Sequence, residues 1–202
     1  MRNPGNVVDA RRRARAIPAL LLVLALPFAL RCGGGDEATA PLPERPTFTP
    51  TSTPEAPNVV RLSDGVGLRS DQIQIEVTIG GPTTSSDIFS VLFDIAFSDP
   101  SLVSTLDFAA GDVFSGDPLT DVIVAVGEVD PEGKVAVGIS KAGGDVGDGV
   151  DADGATIVTI VFTTHHAGST DLWLEGGQAL DPEGNGIDSV IFDDGEATIT
   201  QP

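Results

Sequence analysis

Beyond residue 58 the chain alternates apolar and polar residues in short runs. Gln72-Ile73-Gln74-Ile75-Glu76-Val77-Thr78-Ile79 puts Ile73, Ile75, Val77 and Ile79 on one face of an extended strand. Phe89, Val91, Phe93, Ile95 and Phe97 alternate with Ser90, Leu92, Asp94, Ala96 and Ser98, and Val135, Val137 and Ile139 alternate with Ala136, Gly138 and Ser140. Residues 121–129 are β-branched and apolar, and residues 156–164 form a nearly continuous β-branched run, as expected of a strand buried between layers. Leu172 and Leu174 flank Trp173, and residues 189–192 and 196–200 close the chain. No stretch carries a helical stripe with caps. Turn chemistry separates the runs: Gly80-Gly81-Pro82, Asp99-Pro100, Asp130-Pro131-Glu132-Gly133, Asp181-Pro182-Glu183-Gly184 and Asp193-Asp194-Gly195. About nine short strands at this spacing predict an all-β sandwich over residues 59–202. Eight of the nine Phe follow residue 32 and, with the many Val, Ile and Leu, suffice to fill one core.

The preceding residues are patterned differently. Arg11-Arg12-Arg13-Ala14-Arg15 is a positive region, followed by an apolar run over residues 17–30. A helix there would span roughly 21 Å, short of the ~30 Å hydrocarbon core. Residues 1–31 therefore read as a secretory signal peptide. Residues 32–58 read as a linker rich in Gly, Pro and Thr. Six prolines between positions 41 and 57 disfavour helix and sheet and favour a disordered, extended chain. At ~3.1 Å per residue, positions 36–58 could hold a domain up to roughly 70 Å from an anchor.

Charge narrows the function. Lys+Arg number 11 against Asp+Glu 30, a net charge of −19. Six of the basic residues and one acid precede Cys32, leaving 5 basic and 29 acidic residues from there on, a balance of −24. Five scattered cations cannot build a phosphate-binding face or dock on anionic lipid, which excludes nucleic acid and charge-driven membrane binding. One Cys excludes an internal disulfide framework. Two adjacent His and no Tyr leave few groups for acid–base work near neutral pH.

The lone cysteine, in Ala29-Leu30-Arg31-Cys32-Gly33-Gly34-Gly35, resembles a bacterial lipoprotein processing site, with Arg31 where that pattern has a small residue. The resemblance implies lipidation at Cys32 and a surface or periplasm-facing lipoprotein. Cleavage after Ala38-Thr39-Ala40 is the alternative, and both readings export the protein.

Three stretches in order carry a resemblance to a cohesin domain, the dockerin-binding module of cellulosome-type assemblies. The first is Phe93-Asp94-Ile95-Ala96-Phe97-Ser98-Asp99-Pro100-Ser101-Leu102-Val103 with Gly111-Asp112-Val113 beyond it, although Ser98 stands where the family usually has an aromatic. The second is Gly133-Lys134-Val135-Ala136-Val137 followed by residues 153–162, and the third runs from Gly168-Ser169-Thr170-Asp171-Leu172 to Leu180-Asp181. Together they span essentially all of residues 59–202. The resemblance implies a nine-stranded jelly-roll sandwich, a fold also similar to that of several carbohydrate-binding modules.

It also implies that one sheet face binds a dockerin-type partner. Alternation places Ser90, Leu92, Asp94 and Ala96 on that face, with Ile123 and Ala125, and with Ala136, Gly138 and Ser140. If Leu172 and Leu174 point inward, Asp171, Trp173 and Glu175 join them. Small, weakly polar residues with one Trp suit protein docking, because interface energy concentrates in aromatic anchors. Polysaccharide binding is the alternative, but sugar platforms stack on several aromatics and this chain has one Trp and no Tyr. A structural or adhesive surface domain is a third reading.

Other motifs point to little chemistry. The Gly/Asp-rich stretch at 144–154 resembles a calcium loop, yet no counting frame supplies the acids at positions 1, 3, 5 and 12. It reads as a solvated loop, with weak calcium binding at 145–153 left open. His165-His166 at a strand end reads as a turn, since a metal site needs more ligands. No nucleophile elbow or phosphate-binding loop occurs. The expectation is a non-catalytic binding module with no catalytic residues, no metal and no cofactor.

Overall fold

The structure is a computed structural model that describes residues 43–81, 87–114, 121–142 and 154–202. The signal segment, Cys32 and the 145–153 loop lie outside the described residues. Pro41–Pro202 is one compact unit. Its strands are β1 (Thr47–Thr49), β2 (Val59–Arg69), β3 (Gln72–Ile79), β4 (Ser90–Phe97), β5 (Val103–Ala110), β6 (Asp121–Val126), β7 (Lys134–Ala142), β8 (Ala155–Thr164), β9 (Gly168–Leu180), β10 (Ile191–Phe192) and β11 (Ala197–Gln201). One sheet has the order β1-β11-β9-β4-β7-β6 and the other β10-β2-β3-β8-β5. Every connection except β2–β3 and β6–β7 passes from one sheet to the other, giving a jelly-roll sandwich. Eleven strands form rather than about nine: β1 and β2 lie outside the runs read from alternation, whereas the two-residue β10 falls within the expected 189–192 run.

The core lies between the sheets where alternation placed it. Ile73, Ile75, Val77 and Ile79 of β3 face Val91, Phe93, Ile95 and Phe97 of β4, and all are buried. Phe97 and Phe162 meet edge to face at 5.4 Å between ring centroids, a favoured aromatic geometry that ties β4 to β8 across the layers.

The sandwich begins earlier than residue 59. Residues 47–49, expected within the linker, pair with β11 as Thr47↔Thr200, Phe48↔Ile199 and Thr49↔Thr198. An extended, proline-flanked segment is already close to strand geometry, and proline is tolerated beside an edge strand. Phe48 packs on the core. A Cβ on Gly65 would come within 2.6 Å of the Phe48 side chain, and one on Gly67 within 2.4 Å of the Pro46 carbonyl. The two glycines of β2 therefore make room for this segment. Further along, the Asp193 carboxylate accepts from Thr51 Oγ1 at 3.0 Å and Thr53 Oγ1 at 2.9 Å, while Arg61 Nη1 donates to the Thr53 carbonyl at 3.0 Å. Thr51 is buried.

Turns follow their sequence signatures. In the two Asp-Pro-Glu-Gly turns, Gly133 N donates to Asp130 O and Gly184 N to Asp181 O, both at 3.0 Å. Both glycines have φ of +82°, a conformation that costs other residues steric strain. At the β4 exit, Asp99 accepts from Ser101 N and Oγ, which holds its carboxyl below the usual carboxylate range. Ser98 Oγ accepts from Asp171 N at 2.8 Å and Thr170 Oγ1 from Asp99 N at 2.9 Å. That interlock is the local role of a serine where the resemblance has an aromatic.

Candidate functional site

The outer face of the six-stranded sheet carries the expected residues in rows set by strand register. Trp173 of β9, Ala96 of β4 and Lys134 of β7 make one row. Glu175, Asp94 and Ala136 make the next. Gln178, Leu92, Gly138 and Ala125 follow, and then Leu180, Ser90, Ser140 and Ile123. All twelve expected positions lie on this side. Ala96 departs from expectation, because it is only 3% exposed between the long side chains of Trp173 and Lys134. It is a floor rather than a contact.

The lower rows are apolar and open. Ile123 is 61% exposed and Leu92 41%. Leu92 leans over Gly138, where a Cβ would sit 3.7 Å from Leu92 Cδ2. Without a side chain at Gly138, a shallow floor runs from Leu92 to Ala125. Leaving such aliphatic groups in water forgoes about 25 cal/mol for each Å² that a partner would cover.

The upper rows hold a polar clamp. Asp130 Oδ1 accepts from Glu132 N and Lys134 N, so the β6–β7 turn fixes where Lys134 enters β7. Lys134 Nζ lies 2.6 Å from Glu175 Oε2, and Trp173 Nε1 donates to Glu175 Oε1 at 2.8 Å. The hydrogen bond from Lys134, and then that from Trp173, hold the Glu175 carboxyl below its usual range. The same bond, with the Glu175 charge, raises Lys134. Trp173 is half-buried, and its indole edge is anchored. At the top of β9, Asp171 Oδ1 accepts from Thr198 Oγ1 at 2.8 Å.

Lys134, Gln178, Leu180 and Asp121 are face residues that escaped the sequence reading. Lys134 shares the parity of Ala136 and could have been read from it. Gln178 could not, because the register between β4 and β9 shifts between Leu92 and Asp94. Gly176, at φ of +61°, and Gly177 lie at that irregularity and reverse the parity of β9. The Gly-Gly pair was the available signal.

The remaining candidates lie elsewhere. His165 Nε2 is 3.0 Å from Ser104 Oγ and His166 Nε2 is 3.4 Å from Ser101 Oγ, both in the β8–β9 turn region. Among the described residues no three His, Cys, Asp or Glu side chains converge as metal ligands.

Fold and face together define a jelly-roll sandwich with one open, partly apolar sheet surface. Solved structures similar to this chain include cohesin modules. A non-cellulosomal cohesin from the archaeon Archaeoglobus fulgidus is 16% identical, with 76% of this chain and 89% of that chain covered and a TM-score of 0.43. The second type II cohesin module of the ScaA scaffoldin of Acetivibrio cellulolyticus is 13% identical over 79% and 98%, with a TM-score of 0.48. The third ScaC cohesin of the same organism, in complex with a ScaB dockerin, is 19% identical over 63% and 87%, with a TM-score of 0.47. No family model and no curated protein matches the chain.

Proposed function

We propose that residues 43–202 are a non-catalytic, cohesin-like module that docks a dockerin-type protein on the outer face of the six-stranded sheet. The observation that carries this is the exposure of Leu92 and Ile123 around the bare floor at Gly138, beside a tethered Trp173. Open aliphatic groups beside a charged, hydrogen-bonded cluster on one sheet surface offer a protein partner both apolar area and polar contacts. The partner is carried over from the solved cohesin that is in complex with a dockerin. In this reading the module is exported and displayed through a lipid at Cys32.

The test is retention of purified dockerin modules by the full chain, with calcium and with chelator, beside an insoluble-polysaccharide column. Dockerin should be retained in calcium and released by Ile123→Glu or Leu92→Glu. Retention on polysaccharide alone would overturn the reading. Membrane fractionation of Cys32→Ala checks the anchor: release into the soluble fraction is expected, and unchanged partitioning would refute it.

A further inference from the structure

The docking face is electrostatically lopsided. Asp94, Asp121, Asp171 and Glu175 project from it, and Lys134 is its one cation among the described residues. Asp94 stands directly opposite Glu175, a like-charge pairing that costs stability in a sheet. Lys134 relieves it from one side only, since its ammonium is committed to Glu175 at 2.6 Å. Asp94 forms no salt bridge of its own among the described residues, although its charge acts on Lys134, and the indole of Trp173 lies in the adjoining row. A second cation placed there would meet a carboxylate and an aromatic ring together. The apolar patch starts at Leu92, two residues away along β4, and ends at Ile123 on the edge strand β6, four residues along and two strands across. At roughly 3.4 Å per residue and 4.8 Å per strand, Leu92 lies about 7 Å from Asp94 and Ile123 about 17 Å. Along a helix rising 1.5 Å per residue, that is about five to eleven residues, or one to three turns.

We propose that this face selects a partner helix with a Lys or Arg over Asp94, Glu175 and Trp173, and with aliphatic side chains about five to eleven residues away over Leu92, Gly138 and Ile123. The inference rests on the protein-docking reading and deepens it by fixing the chemistry of the partner. Lys134 then acts as a positioning residue, holding Glu175 and the indole edge while leaving Asp94 for the incoming cation. The neighbouring acids also disfavour a helix with an acidic residue at that position.

The test uses a phage library of tryptophan-free helical scaffolds, randomised on one helix face and panned against the full chain. Binding is followed by the emission of Trp173, the chain's single Trp. Recovered helices should carry Lys or Arg at the stated spacing from aliphatic residues. Their affinity should fall about tenfold on Asp94→Asn/Glu175→Gln, and by a similar factor between low and high salt. Ile123→Glu, a substitution on an exposed edge strand, should abolish binding, with Leu92→Glu as the second variant. Helices that need Ile123 but show no basic preference, or bind the neutralised variant equally well, would overturn the proposed partner chemistry and leave the docking face standing. Recovering only helices indifferent to both Ile123 and Leu92 would overturn the docking face itself.

Discussion

Truncating Phe48 tests whether the proline-rich segment is part of the sandwich. A fully buried Phe→Ala costs about 3–5 kcal/mol, and Phe48 is half-buried, so Phe48→Ala should cost about 2 kcal/mol. For a domain of this size, that lowers Tm by about 4–8 °C. A free linker would show no change. Gly65→Ala supplies the second arm, because its methyl would come within 2.6 Å of the Phe48 side chain. Overpacking of this kind costs about 1–3 kcal/mol. In the Phe48→Ala background the ring atoms Cγ and Cδ1 are gone while Cβ, 2.6 Å from the added methyl, stays, so only part of that cost should vanish, a coupling of about 0.5–1 kcal/mol. Gly67→Ala is the control. Its methyl would meet the Pro46 carbonyl at 2.4 Å, a backbone atom that Phe48→Ala leaves in place, so its cost should persist. Urea denaturation followed by Trp173 emission and far-ultraviolet circular dichroism gives all four corners of the cycle. A Phe48→Ala shift below about 1 °C, or equal Gly65→Ala costs in both backgrounds, would refute the packing of β1 on β2.

The clamp on the outer face of the six-stranded sheet predicts a pH window. Glu175 is depressed from its usual 4.5, so its contribution is present above that value and is lost as pH falls through the lower folded one. Lys134 is raised from 10.5, so its contribution is present below that value and is lost as pH climbs through the higher folded one. Trp173 emission should therefore stay constant between these limits and shift below pH 4.5, and Glu175→Gln should remove the acid-side shift; a transition near neutral pH would contradict the geometry. Thr170→Val should cost about 1–3 kcal/mol in urea titration, because Thr170 is 1% exposed and Asp99 N would lose its acceptor. A neutral effect would mean that the Ser98–Thr170 interlock contributes nothing.

Much of the face was legible because strand parity is local. Once Phe93 and Ile95 are assigned inward, Leu92 and Asp94 follow outward, and the same holds for Ala136 against Val137. The Asp-Pro-Glu-Gly turns were legible for a similar reason, since their bonds close within five residues. What stayed hidden depends on distant partners. Nothing near Phe48 marks it as a core residue; it becomes one because Gly65 and Gly67 leave a groove beneath it. The burial of Ala96 depends on two neighbours, Trp173 and Lys134, that are remote in sequence from it and from each other. Gln178 reached the face through a register shift that alternation alone does not contain. Composition also misled: proline density argues against helices and central strands, but not against an edge strand paired on one side.

Moving the start of the sandwich changes what an anchor at Cys32 would do. With residues 47–49 paired to β11 and Thr51 clasped by Asp193, the chain between Cys32 and Pro43 is ten residues. Fully extended, ten residues reach at most about 35 Å, half the span expected of a free 36–58 linker. A lipid-anchored module would therefore sit close to its membrane, and where the chain enters the sandwich becomes important. It enters at β1, while β6 is the opposite edge of the same sheet, five strand spacings or about 24 Å away. A helix lying from β9 across β4 and β7 toward β6 would cover the half of the sheet remote from the entry strand. Entry of the described chain at β1 leaves the strands toward β6 open, because the two are opposite edges of one sheet.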